Sequence, residues 1–158
     1  MNSANCEGNC AGKYCAKPIQ GGCYDKNTPN CCSGEISITT DPAYTVVPNG
    51  AFKGCTITAV TMHSNVVKVD ERAFRECASL STVNLPTSVI EISQGAFQLC
   101  TSLSTIKLPA SVSIIGENAF GSNNNAPCNS DTATLNVPNS MAVSVYSAVQ
   151  FKCTVVKY

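Results

Sequence analysis

Apolar and polar positions along the chain repeat in a frame of about 23 residues. The pair Ala-Phe marks each frame, as Ala51-Phe52, Ala73-Phe74, Ala96-Phe97 and Ala119-Phe120, and the Phe residues stand 22, 23 and 23 positions apart. Aligned on Phe, further positions come into register. Leu80, Val83 and Leu85 answer Leu103, Ile106 and Leu108; Pro86 answers Pro109; Val89 and Ile92 answer Val112 and Ile115. One step earlier, Ile57, Val60, Met62, Val66 and Val69 fit the frame with one residue deleted. Leu135, Val137, Pro138 and Met141 continue it loosely, and Ile36, Ile38, Tyr44 and Val47 supply a degenerate first copy.

A segment of this length with three short apolar clusters cannot enclose its own interior, so successive copies must stack to make one continuous core. Val83-Asn84-Leu85 and Ile106-Lys107-Leu108 alternate with period two, which predicts a short strand with one face inward. Pro86, Pro109 and Pro138 stop that strand because proline has no N–H for a ladder. Val89 and Ile92, like Val112 and Ile115, then point inward from a return segment. The Ala-Phe pair is expected in a short helical turn, its ring filling the wide end of the coil. The fold class predicted is an α/β-type, strand-dominated repeat solenoid of about five coils with a short parallel sheet on one side.

Written out, the repeat reads L-x-x-V/I-x-L-P-x-S-V-x-x-I-x-x-x-A-F-x-x-C. It resembles the leucine-rich repeat of the BspA-like class, found in bacterial and protist surface proteins. Residues 77–120 carry the pattern closely, 51–76 and 121–153 more loosely, and 1–34 not at all. The resemblance implies a leucine-rich-repeat solenoid used for adhesion or protein binding. It brings no catalytic residues.

Composition supports strands over helices: 24 Val plus Ile and 14 Thr stand against six Leu, a bias toward side chains that fit a pleated, half-buried surface. Ten basic and ten acidic residues balance to zero, which gives no electrostatic reason for a nucleic acid or an anionic membrane as partner. No run approaches the ~20 apolar residues of a membrane span, so no membrane insertion is expected. Residues 1–30 hold no apolar core of a secretory signal, so export would need a leader upstream of Met1. No Asn opens an N-x-[ST] sequon.

Eleven cysteines are unevenly spread, with Cys6, Cys10, Cys15, Cys23, Cys31 and Cys32 in the first 32 residues. A short Gly- and Asn-rich segment cannot hold itself together by burial, so disulfides in an oxidising compartment are the favoured reading. The chain is thereby divided into a disulfide-stabilised cap, residues 1–34, and a solenoid, residues 35–158. Six cysteines allow about fifteen connectivities, and sequence does not choose among them. A metal site is the rival, but the paired C-x2-C spacing of zinc modules is missing and the single histidine, His63, is remote. Cys55, Cys77 and Cys100 share one position in successive coils and are expected as a ladder of small buried thiols. Neighbours in that ladder fall within the Cα separation of a disulfide, about 4.4–6.8 Å. Cys128 and Cys153 are expected to join and close the last coil.

The remaining chemistry is thin. His63 aligns with the strand-ending prolines, as a surface turn residue without a triad partner. Glu71 and Glu117 align two coils apart with Gln94 between them, as solvated charge rather than a paired acid and base. Lys68 and Glu91 occupy one outward position in adjacent coils and are expected to pair across the stack. The acidic residues are too scattered for a calcium loop. No cofactor is implied.

If a ligand binds, the outward row of the short strands presents it with Thr61, then Thr82 and Asn84, Thr105 and Lys107, and Thr134 and Asn136. These are small hydrogen-bonding groups without an aromatic anchor in the row. Weak or multivalent contacts fit them, to a protein or a glycan at the cell surface. The expected function is therefore a non-enzymatic extracellular interaction or adhesion module. The alternative is a structural subunit of an extracellular filament or of a larger multi-protein assembly, self-associating through the cap or through solenoid ends with terminal strands such as Thr154–Tyr158.

Overall fold

The structure, a computed structural model, describes residues 17–18, 33–38, 45–121, 134–140 and 154–158. Eleven strands appear among them: β1 (Lys17–Pro18), β2 (Ser33–Ile38), β3 (Val46–Val47), β4 (Thr56–Met62), β5 (Lys68–Val69), β6 (Thr82–Asn84), β7 (Glu91–Ile92), β8 (Thr105–Lys107), β9 (Ile114–Ile115), β10 (Thr134–Val137) and β11 (Thr154–Lys157). The chain winds as a parallel solenoid. Its front carries β2, β4, β6, β8, β10 and β11, and its back carries β3, β5, β7 and β9. All ladders are parallel except that of β1, which pairs antiparallel with β2. The front strands β2, β4, β6, β8 and β10 belong to the five coils expected, and β11 adds a sixth front strand to the stack.

Register follows the sequence frame. Val60 lies beside Val83 on the front, and Val69 beside Ile92 and then Ile115 on the back. The missing residue of the Phe52 coil falls in the link from Cys55 to Ile57, one shorter than Cys77 to Leu80. Three inward columns are closed to solvent throughout: Ile57, Leu80 and Leu103; Val60, Val83, Ile106 and Leu135; Val66, Val89 and Val112. Through the centre runs the aromatic column. Phe52, Phe74, Phe97 and Phe120 stack in sequence with ring centroids 5.0, 5.2 and 5.7 Å apart and planes within 6°. Centroid spacings this much larger than a ring's thickness mean offset stacking, the arrangement that the ring quadrupole favours.

The Ala-Phe segment is not a helical turn. No residue of the described chain is helical; consecutive i→i+3 turns take its place, Ala73 N–H to Asp70 O, Arg75 N–H to Arg72 O and Cys77 N–H to Phe74 O. Two positions per turn have positive φ: Gly50, Arg72, Gly95 and Asn118 in one column, and Gly54, Glu76 and Leu99 in the other. The physical reason is the stack itself. With both flanks left-handed, alternate N–H groups point along the axis, and Arg72, Phe74 and Glu76 donate to Gln94, Ala96 and Gln98 of the next coil at 2.8–3.0 Å. A continuous α-helix would spend those donors internally. The turn thus adds a third column of inter-coil hydrogen bonds to the two ladders.

Proline, serine and glycine have separate duties. Pro86 and Pro109 end the front strands and accept from Val89 and Val112; Ser88 and Ser111, two residues on, donate to Val66 O and Val89 O one coil back, each at 2.6 Å. Gly116 stands where earlier coils carry Asp70 and Ser93, and a Cβ there would collide with the backbone of Ser93 and Gln94.

Between β6 and β8 the strands stay side by side without ladder bonds, so the front divides into β1-β2-β4-β6 and β8-β10-β11. The same place leaves Leu85 only partly buried, whereas Met62, Leu108 and Val137 in its column are closed to solvent.

Truncating Phe97 to Ala removes a ring sandwiched by two others and should cost about 3–5 kcal/mol, measured by denaturant unfolding. Gly54 has φ of 74° and open space where a Cβ would go, so Gly54→Ala isolates backbone strain and should cost about 1 kcal/mol. Glu76→Gly relieves the same strain at the equivalent site and should shift the unfolding midpoint in the opposite direction.

Candidate functional site

Strand alternation places the outward row on the front of the solenoid. Thr82, Asn84, Thr105 and Lys107 are exposed, and Thr61, Thr134 and Asn136 are partly covered. The row is partly self-satisfied: Asn84 Nδ2 donates to Thr61 Oγ1 at 3.1 Å across adjacent coils. Its Oδ1 keeps the acceptor capacity of the amide.

The row runs into an open groove of about 430 Å³ at the interrupted β6–β8 junction, lined by Val83, Asn84, Leu85, Thr87, Lys107, Pro109, Ala110, Pro138 and Tyr158. Tyr158 is the feature that the strand row did not contain. It follows β11, and its OH donates to Leu108 O at 2.9 Å across 50 residues. Backbone bonds to Val137 O and from Asn139 N–H fix its main chain. The Lys107 ammonium lies 4.4 Å from the centroid of its ring, within the range of a cation–π contact. An aromatic side chain, 47% exposed, therefore does reach the front, alongside one cation, one amide and the Thr87 hydroxyl. The signal available in the sequence was the alternation of Thr154–Tyr158 as one more front strand.

Charge on the back forms a small network. Lys68 Nζ lies 3.0 Å from Glu91 Oε1 and 3.3 Å from Asp70 Oδ1, so the pairing expected between Lys68 and Glu91 is present. Ser93 Oγ donates to Glu91 Oε1 at 2.7 Å. The Ser93 hydroxyl and then Lys68 hold the Glu91 carboxyl below its ordinary range, and Glu91 and then Asp70 hold the Lys68 ammonium above its own. Glu71 instead pairs with its neighbour Arg72 at 3.0 Å. His63 caps its turn, its Nδ1 accepting from Asn65 N–H at 2.9 Å.

The cysteine column differs from a run of three free thiols. Cys77 and Cys100 are free and buried, but Cys55 is disulfide-bonded, to a partner outside the described residues. Cys77 Sγ donates to Phe52 O at 3.0 Å and Cys100 Sγ to Phe74 O at 3.2 Å. The A-F-x-x-C motif thus supplies a small apolar side chain whose S–H caps a Phe carbonyl of the coil before. The Cys77 thiol beside Cys100, together with burial, pushes the Cys100 thiol far above its ordinary range. Cys6, Cys10, Cys15, Cys23, Cys31, Cys32, Cys128 and Cys153 lie outside the described residues, as does the run 122–127. Among the described residues no three metal-ligating side chains gather, and no helix is long and apolar enough to cross a membrane.

Residues 29–148 match the BspA type leucine rich repeat region in six copies. The chain belongs to the BspA-type leucine-rich repeat family. Among solved structures it is similar to a leucine-rich repeat protein from Bacteroides ovatus, 31% identical with a TM-score of 0.59, over 72% of this chain and 28% of that one. The Treponema pallidum leucine rich repeat protein aligns at 24% identity and a TM-score of 0.57 over 89% of this chain and 64% of that one. A leucine rich cell surface protein from Faecalibacterium prausnitzii aligns at 18% and a TM-score of 0.62, over 92% and 40%. The chain spans less than two thirds of the length of each of these structures. No curated protein sequence matches it significantly. BspA-type leucine-rich repeats are generally interaction scaffolds, and among the described residues the front row leads into a groove lined by Asn84, Thr87, Lys107 and the exposed Tyr158 ring.

The back network sets a pH dependence. Because the folded Glu91 carboxyl titrates below its ordinary 4.5, its contribution is complete above that value and is lost as pH falls through the folded one. Lys68 contributes fully below 10.5 and loses its share as pH rises past its raised folded value. Both groups are about a third exposed, so the pair is worth no more than about 1 kcal/mol. Glu91→Gln should therefore lower stability by a few tenths of a kcal/mol at pH 7 and converge with wild type at pH 2, measured by urea unfolding.

Proposed function

We propose that the chain is a non-enzymatic interaction module working outside the cell or at its surface, and that it binds protein or glycan through the front of the solenoid. The observation that carries this reading is the groove at the β6–β8 junction. It joins the exposed Tyr158 ring, the Lys107 ammonium, the Asn84 amide and the Thr87 hydroxyl to an apolar floor of Val83, Leu85 and Pro109. Recognition sites commonly combine an apolar floor with a few placed polar groups, and an aromatic plane suits both a sugar face and a peptide side chain. The oxidising setting is supported by eleven cysteines in 158 residues and by the bonded state of Cys55. Family membership supports binding as the general use, and the ligand class comes from the groove.

Arrays of glycans and of extracellular protein ectodomains, probed with the labelled chain, test the reading. A ligand found there should lose about tenfold or more in affinity with Tyr158→Ala or Lys107→Gln, the scale of an interface anchor. Glu91→Gln on the back should leave its affinity unchanged. Binding that is indifferent to the front variants and sensitive to the back one would overturn the assignment of the face, and blank arrays would count against the module itself.

A further inference from the structure

We propose that Cys77 and Cys100 are an oxidisable pair, joined by a disulfide between adjacent coils when the chain meets an oxidising thiol–disulfide couple. Both side chains are completely buried, both are free, and each thiol points to the Phe carbonyl of the coil before it, Cys77 to Phe52 O and Cys100 to Phe74 O, so the two sulfurs follow one another in a single column. They occupy equivalent positions of coils whose Phe rings are 5.2 Å apart, and a repeat of that size falls inside the Cα separation that a disulfide spans, about 4.4–6.8 Å. Cys55, the residue below them in the column, is already disulfide-bonded.

Their place in the stack gives the bridge a consequence. The Phe74 and Phe97 coils are joined on the back by the β5–β7 ladder and at the turn by Phe74 N–H to Ala96 O at 2.8 Å. At the front, between β6 and β8, the ladder is interrupted. Cys77 and Cys100 each stand five residues before those strands, so a bond between them staples the coils at the edge of the interruption. The same junction forms the groove that Asn84 and Lys107 line from its two sides.

The chemistry is ordinary exchange. A small-molecule disulfide such as oxidised glutathione is the oxidant. One cysteine loses its proton and attacks a sulfur of the reagent, breaking its S–S bond and forming a mixed disulfide; the expelled thiolate takes up that proton. The second cysteine then attacks the protein sulfur of the mixed disulfide, and its proton leaves with the second reagent thiol. Two protein thiols become one S–S bond, and one reagent disulfide becomes two thiols. Burial makes the thiolate rare in the closed fold, so the reaction passes through local opening, which is least costly where inter-coil hydrogen bonds are fewest. Once closed, the bond is shielded from reductant by the same packing.

The test uses the full wild-type chain, incubated with oxidised glutathione at pH 8 with and without a low concentration of urea. It is then quenched in acid, denatured, alkylated with N-ethylmaleimide and digested without reductant. The expected result is a peptide pair linked through Cys77 and Cys100, together with a thermal midpoint roughly 5–10 °C higher than that of chain in which this bond is reduced. In the Cys77→Ser/Cys100→Ser variant that difference should vanish. Recovery of both residues as maleimide adducts after prolonged oxidation, or of either one linked to a different cysteine, would overturn the proposal without need of a variant.

Discussion

One coil of this chain has no inside until another lies against it. Phe74 and Phe97 are covered on both faces by the rings before and after them, and Phe52 and Phe120 on one face each, at centroid spacings of 5.0–5.7 Å. Stability in such a stack is a sum of nearest-neighbour contacts, so everything in the coil must keep one spacing. The parallel ladders set it on the front and back. The aromatic column tolerates it because offset rings are attractive over this range.

That shared spacing explains why the turn accepts strain. Arg72, Glu76, Leu99 and Asn118 adopt positive φ, a conformation that costs a side-chain-bearing residue about 1–2 kcal/mol. In return, alternate N–H groups face the next coil and find carbonyls there at 2.7–3.0 Å. A buried backbone donor left without an acceptor would cost about as much or more, so the strained turn is the less costly arrangement. The cysteine and serine columns follow the same logic. Both supply a short donor to a carbonyl one coil back, Cys77 to Phe52 O and Ser88 to Val66 O, and both are small enough to leave the spacing undisturbed.

Sequence made the periodic part of this legible. Equivalent residues at 22 or 23 positions had to share a column, which gave the Phe stack, the inward apolar columns, the prolines at strand ends and the Lys68–Glu91 pair. What it did not reveal is where neighbours at the same period differ. Glycine at Gly50, Gly54 and Gly95 hints at left-handed backbone, but Arg72, Glu76 and Leu99 in the same columns conceal it, and a helical turn looked sufficient. Nothing in the composition of β6 and β8 announces that their ladder fails, since Thr-Val-Asn and Thr-Ile-Lys both read as good strands. Tyr158 reaches Leu108 O across 50 residues, a contact that depends on how the last strand docks. Cys55 looked like Cys77 and Cys100 because its motif is the same; its different state comes from a bonding partner outside the column.

A solenoid face satisfies part of its own outward row, because an outward group can bond its neighbour one coil away, as Asn84 Nδ2 does with Thr61 Oγ1. Among the described residues the front of the solenoid is broken at one junction. Here the break lies between β6 and β8: Leu85 loses cover, a groove opens, and a residue from the end of the chain, Tyr158, supplies the aromatic plane that the repeat itself lacks on that face. The back ladder and the turn still tie the same two coils together, so the groove opens on one side of an otherwise continuous stack. Its shape is therefore set by how far β6 and β8 splay, and that depends on the contacts between these two coils more than on the residues lining the groove. The Cys100 thiol, which donates to Phe74 O, is among those contacts. In a stack held by nearest neighbours, a change at one junction is felt first at that junction, which places the chemistry of Cys77 and Cys100 and the geometry of the groove in the same pair of coils.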